Sequence, residues 1–371
     1  MKTFRYRLYP SKAQRKCLES TLETARCFYN DCLGERKAVY ELEHRTITEY
    51  EQASRVKIHK ANNPYAQNVH THILRTVVSD IQKAFDGFFR RVKAGETPGY
   101  PRFKGANRFH SFGFRECGNG FKIDGRRLRI SGVGRVGVRW HRPVEGRIKT
   151  LRVVRKSNRW YACFACEVEQ KPFPPAVEAE VGIDAGVCSL FTLSNGEHIE
   201  NPRWYCTEQA ELAKRQQVVS RRKLGGSNRR KAVRSLRRCA ERVANRRKDF
   251  LHKLSRSLLT RFERIAVEDL NLAKLAGKTS LDGGWGFFGQ CLSYKAENAG
   301  RTVVFVNPAY TSQDCCVCKA RQAMLTEKRW YACAHCGNSR DRDENAAINI
   351  LQAGRACWVR GSPLPQEAAG L

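Results

Sequence analysis

Acidic residues are scarce in this 371-residue chain: 36 Asp and Glu stand against 68 Lys and Arg, a formal net charge of +32 at pH 7. So large an excess argues against an ordinary solvated surface and for a polyanionic partner, because basic side chains displace condensed counterions from nucleic acid. Long apolar runs are missing as well, which removes a membrane-spanning helix, and the opening MKTFRYRLYP has no apolar signal core. An anionic membrane as partner is left without support. Core-forming residues are not lacking: hydrophobic side chains make up 41% of the chain, enough for two or three domains rather than a basic tail. The 16 cysteines are scattered, and only one region has close pairs at regular spacing. That excludes a secreted disulfide scaffold and favours a reducing compartment, with most thiols as small core residues and one metal site.

The period of the apolar residues divides the chain. KTFRYRLYP alternates as a strand, with Phe4, Tyr6 and Leu8 on one face. Pro10 ends it, and Ser11 with Gln14 predicts a capping box ahead of a helix carrying Leu18, Leu22, Ala25, Tyr29 and Cys32. A second helical pattern runs through Val69, Ile73, Val77, Ile81, Phe85 and Phe88. Residues 11–104 thus read as a helical insertion, closed by the turn-rich AGETPGYPRFKG. From Phe109 to Gln170 the period falls to two, with Asp124-Gly125 and Ser157-Asn158 as hairpin turns. A small β-barrel completed by the N-terminal strand is predicted there. The Pro-rich KPFPPAVEAE then marks a domain boundary.

Beyond it, VGIDAGVCSLFTLSNGEHIE reads as two strands joined by a hairpin. Long basic helices follow, RIAVEDL and RTVVFVNP read as strands, and DENAAINILQAG as a closing helix. This order suits an α/β layer fold. The tail after Gly354 has little core-forming pattern, and there are no internal repeats.

Cys315-x2-Cys318 and Cys333-x2-Cys336 are separated by fourteen residues. Each pair grips one side of a tetrahedral ion, and thiolates favour zinc in closed sites of this kind, so one structural Zn2+ is predicted. Cys316 is the alternative to Cys315, although the x2 spacing favours Cys315. His335 reads as a neighbour, and Trp330-Tyr331 as packing beside the ion.

Three acids stand at element ends in the same α/β region. Asp184 lies in the apolar strand VGIDAGV, where flanking glycines admit a substrate backbone or a metal. Glu268 ends RIAVEDL; on period two it shares a face with Ala266, while Ile265 and Val267 point into a core. Asp343 precedes Asn345-Ala346-Ala347 at the start of the last helix. Taken singly, each reads as a structural or surface acid, and Asp343 as an N-cap. Taken together, clustered carboxylates repel unless cations neutralise them, which implies Mg2+ or Mn2+. Two such ions activate water and stabilise the leaving oxygen in phosphodiester cleavage. Asp341 reads as a turn or surface acid and Glu344 as solvent-facing near a helix N-terminus.

These residues, together with FRYRLYPSKAQ, AFDGFFRRVKAGETPGYPRFKG, VGIDAGVCSLFTLSNGE, IAVEDLN, GRTVVFVNPAYTSQDCCVC and RDRDENAAINIL, resemble the TnpB family of transposon-encoded, RNA-guided DNA endonucleases related to compact type V CRISPR nucleases. The six ordered blocks span nearly the whole chain. The resemblance implies an α/β multidomain protein with a RuvC-like (RNase H-type) nuclease domain over 173–307 and 341–371. A zinc-binding target-nucleic-acid-binding insertion would occupy 308–340. A wedge β-barrel would take 1–10 and 105–172, with a helical recognition insertion at 11–104.

Asp184, Glu268 and Asp343 then fall on the catalytic carboxylates. The implied partners are a guide RNA derived from the transposon end and target double-stranded DNA read beside a short transposon-adjacent motif. One protein chain per complex, in a prokaryotic cytoplasm, is expected. Lys319 departs from the family's usual Gly after the first knuckle and predicts a looser turn. All three acids are present, which argues against a catalytically dead, repressor-like derivative. A compact CRISPR effector, or a guided DNA-binding or transposition accessory protein, is the alternative; a simple resolvase explains neither the helical insertion nor the barrel.

Lys214 to Arg256 holds seventeen Lys or Arg and two acids. The near absence of acids removes intrahelical pairing and points to nucleic-acid backbone contacts. Arg221, Arg222, Arg229, Arg230, Arg237 and Arg246 are the candidates. In PGYPRFKG, Tyr100, Arg102, Phe103 and Lys104 are candidates for base stacking and phosphate contact, against the equal reading of a structured basic turn.

Overall fold

Alternate burial fixes the first strand, β1 (Lys2–Tyr9): Phe4, Tyr6 and Leu8 point inward, Thr3 and Arg5 outward. Ser11 and Gln14 form the expected reciprocal capping box at the start of α1 (Lys12–Glu43). The computed structural model of the protein describes residues 1–106, 108–169, 173–186, 189–269, 284–322 and 329–359. It divides into two units, Met1–Glu169 and Gln170–Leu371, at the head of KPFPPAVEAE.

In the first unit α1 is followed by α2 (Glu49–Ser54), α3 (Val56–Asn62), α4 (Pro64–Gln67) and α5 (Thr71–Lys93), which buries Ile73, Leu74, Val77, Val78 and Ile81. Six strands follow: β2 (Ser111–Phe114), β3 (Phe121–Asp124), β4 (Arg127–Ile130), β5 (Gly134–Arg139), β6 (Arg147–Lys156) and β7 (Arg159–Glu167). The antiparallel sheet runs β2-β6-β7-β1-β5-β4-β3, so the N-terminal strand lies at its centre. Ser157 and Asn158 take the left-handed conformation that a two-residue hairpin turn between β6 and β7 requires. The sheet curls around Tyr6, Phe112, Phe114, Phe121, Trp160 and Phe164. Its first and last strands meet through the Phe114 and Phe121 rings, 5.8 Å between centroids. Among the described residues no ladder of hydrogen bonds joins those two edges.

The second unit has a five-stranded sheet: β8 (Glu178–Asp184), β9 (Ser189–Leu193), β10 (His198–Glu200), β11 (Phe262–Glu268) and β12 (Thr302–Val306). The order is β10-β9-β8-β11-β12, with β8, β11 and β12 parallel and β9 antiparallel to both its neighbours. The segment expected to hold two strands holds three, because the chain turns both after Asp184 and at Ser194–Glu197. Helices α6 (Trp204–Ser220) and α7 (Ser227–Arg261) separate β10 from β11, and α8 (Trp285–Ala299) precedes β12. A cysteine-bearing module with β13 (Trp330–Ala332) and β14 (Ser339–Asp341) leads into α9 (Arg342–Val359).

Both faces of this sheet are covered. Val181, Ile183, Ile265 and Val267 pack with Leu251, Leu258 and Leu259 of α7 and with Phe288 and Leu292 of α8. Ala266 and Val306 pack on the other face with Ile350 of α9. The alternation expected in IAVEDL is therefore present, with a core on each side. A Cβ on Gly182 would stand 2.1 Å from the Ala347 carbonyl oxygen, so the glycine before Asp184 admits the backbone of α9 rather than substrate or metal. The tail is also more ordered than its composition predicts: α9 runs to Val359, and Cys357 and Trp358 pack against the Ala266 cluster. Residues 360–371 lie outside the described residues. No helix among the described residues is long and apolar enough to cross a membrane.

Candidate active site

Asp184 and Glu268 end adjacent parallel strands, one residue beyond the Ile183–Val267 pairing of β8 and β11. Because Ile183 and Val267 point toward α7 and α8, the two acids take the α9 side of the sheet. The first turn of α9 brings Asp343 to the same end, where a Cβ on Gly186 would lie 3.6 Å from its Oδ2. The carboxyl ends of parallel strands are where open α/β sheets form ligand crevices.

Burial pushes the Asp184 carboxyl well above the ordinary range, Glu268 and Asp343 push it further, and Arg342 opposes them. Burial also raises Glu268, offset in part by a hydrogen bond from Thr311. Thr311 Oγ1 donates to Glu268 Oε1 at 2.8 Å. Arg342 stands 3.5 Å from Asp343 Oδ1. All three are hard oxygen donors of the kind a divalent cation such as Mg2+ or Mn2+ takes, spread over more than 4.8 Å across the set.

Asp341 proves to be neither surface charge nor a simple turn residue. Its Oδ1 accepts from the backbone N–H groups of Asp343 (2.8 Å) and Glu344 (3.2 Å), capping α9. Asp343 is thereby free of the capping role. Glu344 pairs at 3.5 Å with Arg340 of β14, four residues earlier in the chain.

The four cysteines form a second cluster. Cys315, Cys318, Cys333 and Cys336 have their sulfurs all within 4.8 Å of one another. Cys315–Cys336 and Cys318–Cys333 are each 3.6 Å apart, far beyond disulfide length. A tetrahedron with Zn–S bonds of about 2.3 Å places its sulfurs about 3.8 Å apart, so the set fits zinc. Burial opposes ionisation of Cys315, but the backbone N–H groups of Cys318 and Val317 and the thiols of Cys336 and Cys333 bring it down to about 6. Cys316 turns away, its N–H donating to Asn345 Oδ1 at 3.0 Å. Of the aromatic pair, Tyr331 is buried against Cys315 and Cys333, whereas Trp330 is exposed and its indole N–H donates to Ser339. Lys319 adopts φ +64° where a glycine would be unstrained, and its ammonium reaches Asn349 Oδ1 at 2.9 Å and Gln352. The turn expected to be loose is pinned to α9.

That contact belongs to a strap the sequence reading missed. Asn345 and Asn349, one turn apart on α9, are both buried. Asn345 Nδ2 donates to the Asp314 carbonyl at 2.8 Å, and Asn349 Nδ2 to those of Asp314 and Thr311 at 2.6 and 2.9 Å. The available signal was the i, i+4 spacing of two amides in an otherwise apolar helix stripe, where a buried amide must find partners.

A "Putative RNA-guided DNA endonuclease" of Streptomyces pristinaespiralis is 33% identical over 380 residues, covering 99% of this chain and 92% of that one. The chain belongs to the TnpB family. The "Putative RNA-guided DNA endonuclease InsQ" of Escherichia coli K12 is 29% identical over 99% of this chain and 97% of its own. Family models match as "Probable transposase" over residues 163–279, "Cas12f1-like, TNB domain" over 285–350 and "Helix-turn-helix domain" over 1–45. In this TnpB-family chain residues 1–45 form a strand and one uninterrupted helix, β1 and α1. A solved Cas12f1–sgRNA–target DNA complex shares the fold, with TM-score 0.59 at 14% identity, covering 91% of this chain and 82% of that one.

The basic candidates of this TnpB relative divide into two groups. Arg229 donates to the carbonyls of Val219 and Arg222 and Arg246 pairs with Glu208 at 3.0 Å, which ties α7 to α6, while Arg230 donates to the Gly225 carbonyl in the loop between them. Arg221, Arg222 and Arg237 are exposed, as are Lys231, Arg234, Arg238 and Arg242 on α7. In PGYPRFKG, Tyr100 packs edge-on against Phe85 and Phe88, and the Lys104 carbonyl accepts from Arg26 and Asn30. Arg102 and Phe103 remain exposed. The turn is anchored at both ends and open in its middle.

Proposed function

We propose that this TnpB-family protein is an RNA-guided endonuclease that cleaves double-stranded DNA beside a short transposon-adjacent motif. The observation that carries the reading is the meeting of Asp184, Glu268 and Asp343 at one end of a β8–β11 pair capped by α9. In this reading the β10-β9-β8-β11-β12 layer with α7, α8 and α9 is a RuvC-like, RNase H-type domain. Asp184, Glu268 and Asp343 would hold two Mg2+ or Mn2+ ions. Such ions, when bound, supply a nucleophilic water and stabilise the leaving oxygen of a phosphodiester. The chain's own part is to hold a buried Asp184 beside the half-buried Glu268 and Asp343, to orient Glu268 through Thr311, and to place Arg342 beside Asp343.

Sequence specificity would come from pairing between guide and target, with the protein contributing backbone contacts and the short motif. The exposed basic residues of α7 suit that role. The curled sheet and α1–α5 would serve as wedge and recognition domains for the RNA scaffold and target duplex. The cysteine module, carrying one structural Zn2+, would contact the target near the cut. A complete acid set in one chain supports one protein per complex.

The match to a Cas12f1-like domain keeps a CRISPR-type effector as a second reading with the same chemistry. Sequencing the RNA that copurifies with the full chain separates them. A transposon-end scaffold is expected; RNA derived from a repeat array would favour the second reading, and absence of any enriched RNA would overturn both.

A further inference from the structure

We propose that Thr311 is a positioning residue for Glu268, fixing its carboxylate for the divalent-metal site; the inference rests on the nuclease reading above. Glu268 leaves β11 on a side chain with three rotatable bonds, and the strand alone does not fix its carboxylate plane. Thr311 does: its hydroxyl donates to Oε1 at 2.8 Å. Oε2 has no protein partner among the described residues, so one oxygen is held and the other is left for a cation. The Pro308 carbonyl, 3.1 Å from the same hydroxyl, is the competing acceptor. A hydroxyl has one proton, and a carboxylate is the stronger acceptor.

Thr311 is itself held firmly. It is buried, and its carbonyl accepts from Asn349 Nδ2 at 2.9 Å. Asn349 shares the Asp314 carbonyl with Asn345, whose Oδ1 accepts from Cys316 N–H at 3.0 Å, next to the ligand candidate Cys315. Asn345 lies two residues after Asp343. The same strap thus ties the loop that orients one acid to the helix that carries another, and both to the cysteine module. A hydroxyl that merely closed the Pro308 turn would have no bearing on the cation.

Binding of Mn2+ to the zinc-loaded full-length chain, followed by electron paramagnetic resonance, tests this. The site is the Mn2+ that is lost in Asp184→Ala. Thr311→Val, an isosteric change, and Thr311→Ala, which adds no apolar bulk, should each weaken that site about 10-fold, the effect expected for loss of an outer-shell partner. Thr311→Ser should stay within about twofold of wild type, and zinc content should not change in any of the three. Mn2+ affinity in Thr311→Val and Thr311→Ala within about twofold of wild type would overturn the role. Weakening in the valine variant alone, or a serine variant as weak as valine, would assign the effect to packing and also overturn it. Mn2+ binding that survives Asp184→Ala would instead refute the nuclease site itself, and the role of Thr311 with it.

Discussion

Asp341 caps the helix that carries Asp343, its Oδ1 accepting the Asp343 backbone N–H at 2.8 Å. Two acids two residues apart in a basic chain therefore have separate tasks. Asp341→Ala should lower stability by about 1 kcal/mol, the usual cost of a lost N-cap, while retaining measurable cleavage. Asp341→Ser should recover most of that stability. Asp343→Ala should abolish cleavage with a smaller effect on melting. Chemical denaturation beside a cleavage assay checks the split, and equal loss of activity in Asp341→Ser and Asp343→Ala would contradict it.

Asp184 carries a stability cost that depends on pH. Its folded pKa is raised by burial and by Glu268 and Asp343, so the folded state binds its proton more tightly than the unfolded state does. Stability from this group is present below the ordinary Asp pKa of about 3.9 and lost as pH rises through the higher folded value. Asp184→Asn should therefore melt at a higher temperature than wild type at neutral pH without added divalent ions. The gap should close on acidification, and added Mg2+ should stabilise only the wild type. Thermal melts across pH, with and without Mg2+, measure all three.

Cys315 and Cys316 are adjacent but differ in role. Cys315→Ser should lose zinc and unfold the module between β12 and α9, because structural zinc contributes folding energy directly. Cys316→Ser should keep zinc at the wild-type level, since its contact to α9 is made by the backbone N–H. Metal analysis of the two purified variants decides the matter.

Gly182 sits where α9 crosses β8. A methyl there would meet the Ala347 carbonyl oxygen at 2.1 Å, so Gly182→Ala should destabilise the second unit by about 1–3 kcal/mol and reduce cleavage by displacing Asp343. Denaturation with a parallel cleavage assay reads both effects.

Much of this was legible in the sequence where burial on two sides enforces a period. Ile265 and Val267 predicted the face of Glu268 because a core on each side of β11 leaves no freedom of register. Ser11 and Gln14 announced α1 because a capping box is a local device. Residue patterns alone give the cap to Asp343 and leave Asp341 as a turn or surface acid, whereas the cap is Asp341, because a shift of two residues in the start of α9 exchanges those places. Thr311 and Asn349 were missed because their partners lie 43 and 38 residues away in the chain. Charge counting names Arg229, Arg230 and Arg246 as basic candidates and is blind to their internal partners, carbonyls and Glu208, because composition records a charge and not its neighbour.

The most direct test is programmed cleavage. The purified protein with a transposon-end RNA carrying a chosen guide should cut double-stranded DNA that matches the guide, in Mg2+. Changing the guide should move the cut to the new match, and Asp184→Ala should abolish it while target binding persists. Cutting that ignores the guide, or that survives in Asp184→Ala, would contradict the account.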